Sequence, residues 1–161
     1  MIARPIVAAL LVAGVLSSVA AEGCSRVERR GRWAAEVAEK HREADRRLDA
    51  GDGAGARATL QSLIDAAVPR GITAEARRLP LQDTYFRLAR LALAERDARG
   101  ALAYADAGLA FGSAPHLFVA NLFVVRGAAR EALGDPRAAA EDYHRALTMN
   151  ETLLREALPS P

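Results

Sequence analysis

Three times along this chain an aspartate is followed four residues later by an alanine and, eight residues beyond that, by an aliphatic residue. The copies are Asp52-Gly-Ala-Gly-Ala56 leading to Leu63-Ile64, Asp97-Ala-Arg-Gly-Ala101 leading to Gly108-Leu109, and Asp135-Pro-Arg-Ala-Ala139 leading to Ala146-Leu147. Aspartate is a favoured helix N-cap because its carboxylate accepts orphan N–H groups of the first turn. An alanine one turn inside is small enough to let a second helix approach closely. Upstream of each aspartate lies another helix-length segment, Trp33 to Ala50, Gln82 to Glu95 and Pro115 to Leu133, with apolar residues three and four apart. The connections Gly51 to Gly53 and Gly134-Asp135-Pro136 are short enough to predict antiparallel hairpins. Beyond Trp33 no alternating β-branched run occurs, and Ala, Leu, Arg and Glu dominate, so the expected fold class is all-α.

The repeat resembles the tetratricopeptide repeat, a helix–turn–helix of about 34 residues. Residues 120–153 carry it best. Phe123 stands at the Trp place, Gly127 at the Gly, Gly134-Asp135 at the turn, and Ala139, Tyr143 and Ala146-Leu147 follow at the family spacing. Residues 82–115 match through Tyr85, Leu88-Ala89, Asp97, Ala101 and Leu109, and residues 37–70 through Ala44, Gly51-Asp52, Ala56 and Leu60. The sequence departs from the pattern at Arg126 and Arg130, where the family has Leu and Tyr, and at Glu151, where it has Pro. The resemblance implies a repeat domain over residues 32–158, with three hairpins stacked as a short right-handed α-solenoid. A single hairpin cannot bury its apolar faces alone, and about three make a continuous core. Trp33 and Leu153-Leu154-Leu158 are the candidates to cover the two ends.

Residues 1–23 run from Arg4 through the apolar Ile6 to Leu16 into the small-residue stretch Ser17 to Ala21. That order predicts a secretory signal peptide, its apolar core being short for a bilayer span. Val19-Ala20-Ala21 suits cleavage before Glu22. Alternatively, Ala21-Glu22-Gly23 before Cys24 resembles a bacterial lipobox, with Glu22 as its departure. Cys24 is the only cysteine in the chain, placed where a lipid would be attached, and residues 24–31 read as a tether. Export to the periplasm or outer membrane as a lipoprotein is the expected address. An uncleaved inner-membrane anchor is the alternative.

Composition narrows the chemistry. One cysteine in 161 residues excludes a disulfide scaffold and a Cys-rich zinc site. Lys+Arg of 22 against Asp+Glu of 20 leaves +2, and acids interleave the arginine pairs, so no nucleic-acid partner is expected. His41, His116 and His144 fall in different hairpins, read as surface or half-buried helix residues with no metal-ligand spacing. Gly51 to Gly55 lacks the Gly-Lys-Ser/Thr ending of a phosphate loop and reads as a hairpin turn. No catalytic, metal or cofactor set is expected, and the chain is read as a non-enzyme.

What remains is surface. In tetratricopeptide proteins the first helix of each pair lines a concave groove. The resemblance puts Asp83, Phe86, Arg90 and Leu93 in that groove, with Asn121, Val124, Ala128 and Glu131 on the next first helix and His41, Asp45 and Leu48 on the one before. Arginine can hold a carboxylate by two parallel hydrogen bonds, asparagine can grip an extended backbone, and Phe86 would be an apolar anchor. The expected function is a protein-interaction scaffold of the cell envelope holding a protein or peptide partner, as in assembly of a complex such as a pilus. The alternative is an accessory protein whose groove takes a small ligand or lipid.

Overall fold

The computed structural model describes the backbone of residues 7–158 and the side chains of residues 27–158. The expected cleavage site and the candidate lipid acceptor Cys24 lie outside the described side chains. Six helices follow one another: α1 (Val7–Asp49), α2 (Gly53–Asp65), α3 (Ala74–Ala94), α4 (Ala98–Leu109), α5 (Leu117–Ala132) and α6 (Pro136–Ala157). There is no strand among the described residues, so the fold is all-helical. Residues 24–31, expected as a tether, continue α1 as helix.

The α1–α2, α3–α4 and α5–α6 connections are one turn used three times. Gly51 N–H donates to Leu48 O (2.9 Å) and Asp52 N–H to Arg47 O (2.8 Å). Arg96 and Asp97 repeat this onto Leu93 O and Ala92 O at 2.9 and 2.8 Å, as do Gly134 and Asp135 onto Glu131 O and Arg130 O at 3.0 and 2.9 Å. This crossed pair of bonds satisfies the last carbonyls of the first helix through a left-handed residue. The aspartate that closes the first helix also opens the second. Its carboxylate accepts the N–H of Gly55, Gly100 or Ala138 at 2.8, 2.8 and 3.0 Å. One residue type thus pins both ends of the turn, which is why aspartate recurs there.

The left-handed position is Gly51 (φ +77°), Arg96 (φ +63°) and Gly134 (φ +86°). Arginine carries a Cβ penalty there of ~1–2 kcal/mol, against ~0.4–1 kcal/mol of unfolded-state entropy that a glycine adds. Arg96→Gly is therefore expected to stabilise the fold by roughly 0.5–1 kcal/mol, read as a higher urea midpoint with an unchanged slope.

Each helix packs on its sequence neighbours, and α3 also meets α5 broadly and α1 slightly, while α1 and α6 do not touch. The small residues sit at the close approaches: Ala56, Ala101 and Ala139 are all buried. Leu60 of α2 packs with Leu88 and Leu91 of α3, and Ala105 of α4 with Leu122 and Val125 of α5.

Pro80 reads as a helix stop, yet α3 begins before it. Thr73 caps the start by accepting Ala76 N–H at 3.1 Å, Glu75 favours the first turn, and the Thr84 hydroxyl donates to Pro80 O at 2.9 Å. Leu81, just past Pro80, is buried and lines a small hollow with Val37 and the half-buried Trp33, and Leu79 before it lines another with Val37 and His41. Tertiary burial here outweighs the backbone bond a mid-helix proline removes. At the other end the expectation fails: Leu153 is half-buried, but Leu154 and Leu158 are exposed and cover nothing.

Candidate functional site: the face of α1, α3 and α5

Asp83 is not a free groove residue. Its carboxylate lies 3.1 Å from His41 Nδ1 and accepts from Arg87 Nε at 3.1 Å, while Arg87 Nη1 donates to Asp45 Oδ1 at 2.7 Å. This chain of charges stitches α1 to α3. His41, expected at or near the surface, is only 8% exposed, with Nε2 2.8 Å from Thr84 Oγ1. Burial alone would raise the Asp83 carboxyl. The His41 bond and the Arg87 charge outweigh it and hold the group below its ordinary value.

A depressed carboxyl contributes stability above the unfolded value of about 3.9, and that contribution is lost as pH falls through the folded value. Asp83→Asn is expected to cost about 1–3 kcal/mol at neutral pH. It should also flatten the acid limb of stability against pH, measured by urea unfolding at a series of pH values.

Phe86 is half-buried against Ala89, Leu122 and Val125, and the Arg90 guanidinium lies 5.6 Å above its ring. Leu93 belongs to the packing between α3, α4 and α5, touching two core clusters. Asn121 and Ala128 are half-buried, Val124 is 43% exposed, and Glu131 accepts the Tyr143 hydroxyl at 2.9 Å.

The residues brought together are Asp45, Leu48 and Arg90. They line a cavity of about 310 Å³ at the junction of α1 and α3, with Leu60 and Leu91 among its apolar walls and Arg87 at its edge. The cavity exists because α1 meets α3 only slightly. Arg90 is exposed, stacks on Phe86, and forms no ion pair among the described residues. Phe86, Leu93, Asn121, Val124 and Glu131 do not line this cavity. Arg87 was missed by sequence reasoning, although its i,i+4 spacing from Asp83 is the signal of an intrahelical pair.

Arg126 and Arg130, the departures from the family pattern, both reach Asp142 of α6. Arg126 donates twice, at 2.9 and 2.7 Å, and Arg130 forms an ion pair at 2.9 Å, while Arg126 also holds Asp106 at 2.9 Å. A second hollow, about 490 Å³, opens beside Phe123, His144, Arg145 and Met149, away from every predicted groove residue.

Among the described residues there is no group of three or more His, Cys, Asp or Glu able to hold a metal ion, and no helix long and apolar enough to cross a membrane. Comparison of the chain with protein-family models, with curated proteins and with solved structures finds no match.

Proposed function

We propose that the chain is a short tetratricopeptide-like solenoid that works by holding a peptide or protein segment against the α1–α3–α5 face, with no bond made or broken. The thrice-used aspartate turn and the packing of each hairpin only on the next support the stacked-hairpin reading. The observation that carries the binding reading is the cavity under Arg90. Its walls of Leu48, Leu60 and Leu91 suit an aliphatic side chain, and the unpaired guanidinium at the rim suits a carbonyl or carboxylate beside it.

The proposed address is the bacterial cell envelope, in the periplasm or at the outer membrane, with export directed by residues 1–23 and a lipid on Cys24. Within it the protein would serve assembly of a complex such as a pilus. Cys24→Ser is expected to release the protein from membranes, whereas unchanged fractionation would leave ordinary secretion or the uncleaved anchor.

The binding reading is tested with peptides selected from a random library on the purified protein. Leu48→Asp with Arg90→Glu changes exposed positions only, and is expected to weaken the selected peptides roughly 30-fold or more while helical circular dichroism is retained. Equal binding to the double variant removes the assignment. A small molecule that co-purifies in native mass spectra would instead support the ligand-carrier alternative.

A further inference from the structure

The second helices of the first two hairpins each bury a stripe under the helix that follows. Leu60 and Ile64 of α2 pack with Leu88 and Leu91, and Ala105 and Leu109 of α4 pack with Leu122 and Val125. Counted from the capping aspartate, the same places on α6 are Tyr143 and Leu147. No described helix follows α6. Tyr143, Leu147, Leu154 and Leu158 are 36, 57, 60 and 60% exposed, two apolar pairs on one side of α6 and its C-cap, separated by Asn150 and Glu151.

The opposite end of the stack is built differently. On α1 the exposed face carries Glu39, Arg42 and Arg46, joined by ion pairs at 2.6 and 3.0 Å. A stack of helical hairpins needs polar outer faces at both ends to stay dispersed. The α1 end has one, whereas the α6 end carries exposed charges such as Arg137, Glu141, Arg155 and Glu156 but leaves these four apolar side chains bare beside them. Head-to-tail stacking of copies would press apolar side chains onto these ion-paired charges and desolvate them with no new polar partner from α6, so a repeating head-to-tail contact is disfavoured. An isologous contact, in which α6 meets α6, places apolar on apolar.

The stripe is spaced to match itself. From Tyr143 the steps to Leu147, Asn150, Glu151, Leu154 and Leu158 read four, three, one, three, four, the same in both directions. Set antiparallel about a two-fold axis between Asn150 and Glu151, Leu147 meets the second copy's Leu154 and Tyr143 meets its Leu158. At the centre the Asn150 amide donates to the second copy's Glu151 carboxylate, twice by symmetry. A polar pair inside an apolar seam fixes register. We infer that α6 is the interface of a two-fold dimer of this chain, paired antiparallel through Tyr143, Leu147, Leu154 and Leu158. This does not depend on the peptide-binding reading of the other face.

Sedimentation equilibrium of the full chain is expected to show a concentration-dependent dimer. Leu147→Glu with Leu154→Glu, both at exposed positions, should weaken association roughly 30-fold or more with helicity unchanged. Register is tested directly in a Cys24→Ser background by mixing Leu147→Cys with Leu154→Cys chains under mild oxidation. The mixed disulfide is expected to form faster than either self-pair. A wild-type chain that is monomeric at all concentrations, a dimer that survives the paired glutamates, or self-disulfides that outrun the mixed one would each overturn the proposal.

Discussion

Replacing Asp142 with alanine is expected to cost about 3–5 kcal/mol of folding stability, the largest effect of any single polar substitution in the chain. Its side chain is 1% exposed between α5 and α6, accepts two charged hydrogen bonds from Arg126 and forms an ion pair with Arg130. Hydrogen bonding to Asp142 holds the Arg126 guanidinium above its ordinary value, against the burial that would lower it. Without the carboxylate, Arg126 at 12% exposure keeps only Asp106, and Arg130 loses its carboxylate. Uncompensated buried charge, more than lost attraction, sets the size of the effect. Loss of the α6 helical signal ahead of the rest in urea would locate it. Arg126→Leu combined with Asp142→Ala puts an apolar side chain at 126 in place of the stranded charge, and should cost less than Asp142→Ala alone. Strict additivity of the two substitutions would show that the residues do not act as a pair.

Gly108→Ala is expected to destabilise by about 1–3 kcal/mol even though alanine is the better helix former by ~1 kcal/mol. A Cβ at Gly108 would stand 2.9 Å from both methyls of Leu122 and 3.0 Å from Tyr85 Cβ. Leu122 is fully buried and cannot retreat, so overpacking wins. Gly127→Ala is the control. Its Cβ would meet the Tyr143 ring at 2.7 Å, but that ring is 36% exposed and can swing outward. The expected cost there is within about 0.5 kcal/mol of zero. Thermal unfolding of both variants separates the cases. Equal destabilisation would mean that Tyr143 is held more firmly than its exposure indicates.

The hairpins were legible because their code is local. An aspartate that caps one helix and closes another acts within six residues of itself, and three copies made the signal plain. The start of α3 was not legible. Pro80 is a local stop signal, overridden where the residues around it, Leu79 and Leu81, are drawn to the α1 side beside Val37. Arg126 and Arg130 could be read only as misfits, since their partner lies on another helix and pairing of that kind leaves no local trace. On the candidate face, the tetratricopeptide resemblance implied Asp45, Leu48 and Arg90 as groove residues, and the fold gathers them. It could not tell that Leu93 turns into the α3–α4–α5 packing or that Asp83 is spoken for by His41 and Arg87.

The thin seam between α1 and α3 has a mechanical consequence. The second and third hairpins are joined through α4–α5 and a broad α3–α5 contact, whereas the first holds α3 mainly through α2, α1 adding few contacts and a polar stitch from His41 and Asp45 to Asp83 and Arg87. The softest joint of the molecule therefore runs through the cavity itself. A guest that touched Leu48 on one side and Arg90 on the other would act as a rivet, and amide exchange along residues 37–48 would slow before any other part of the chain responded.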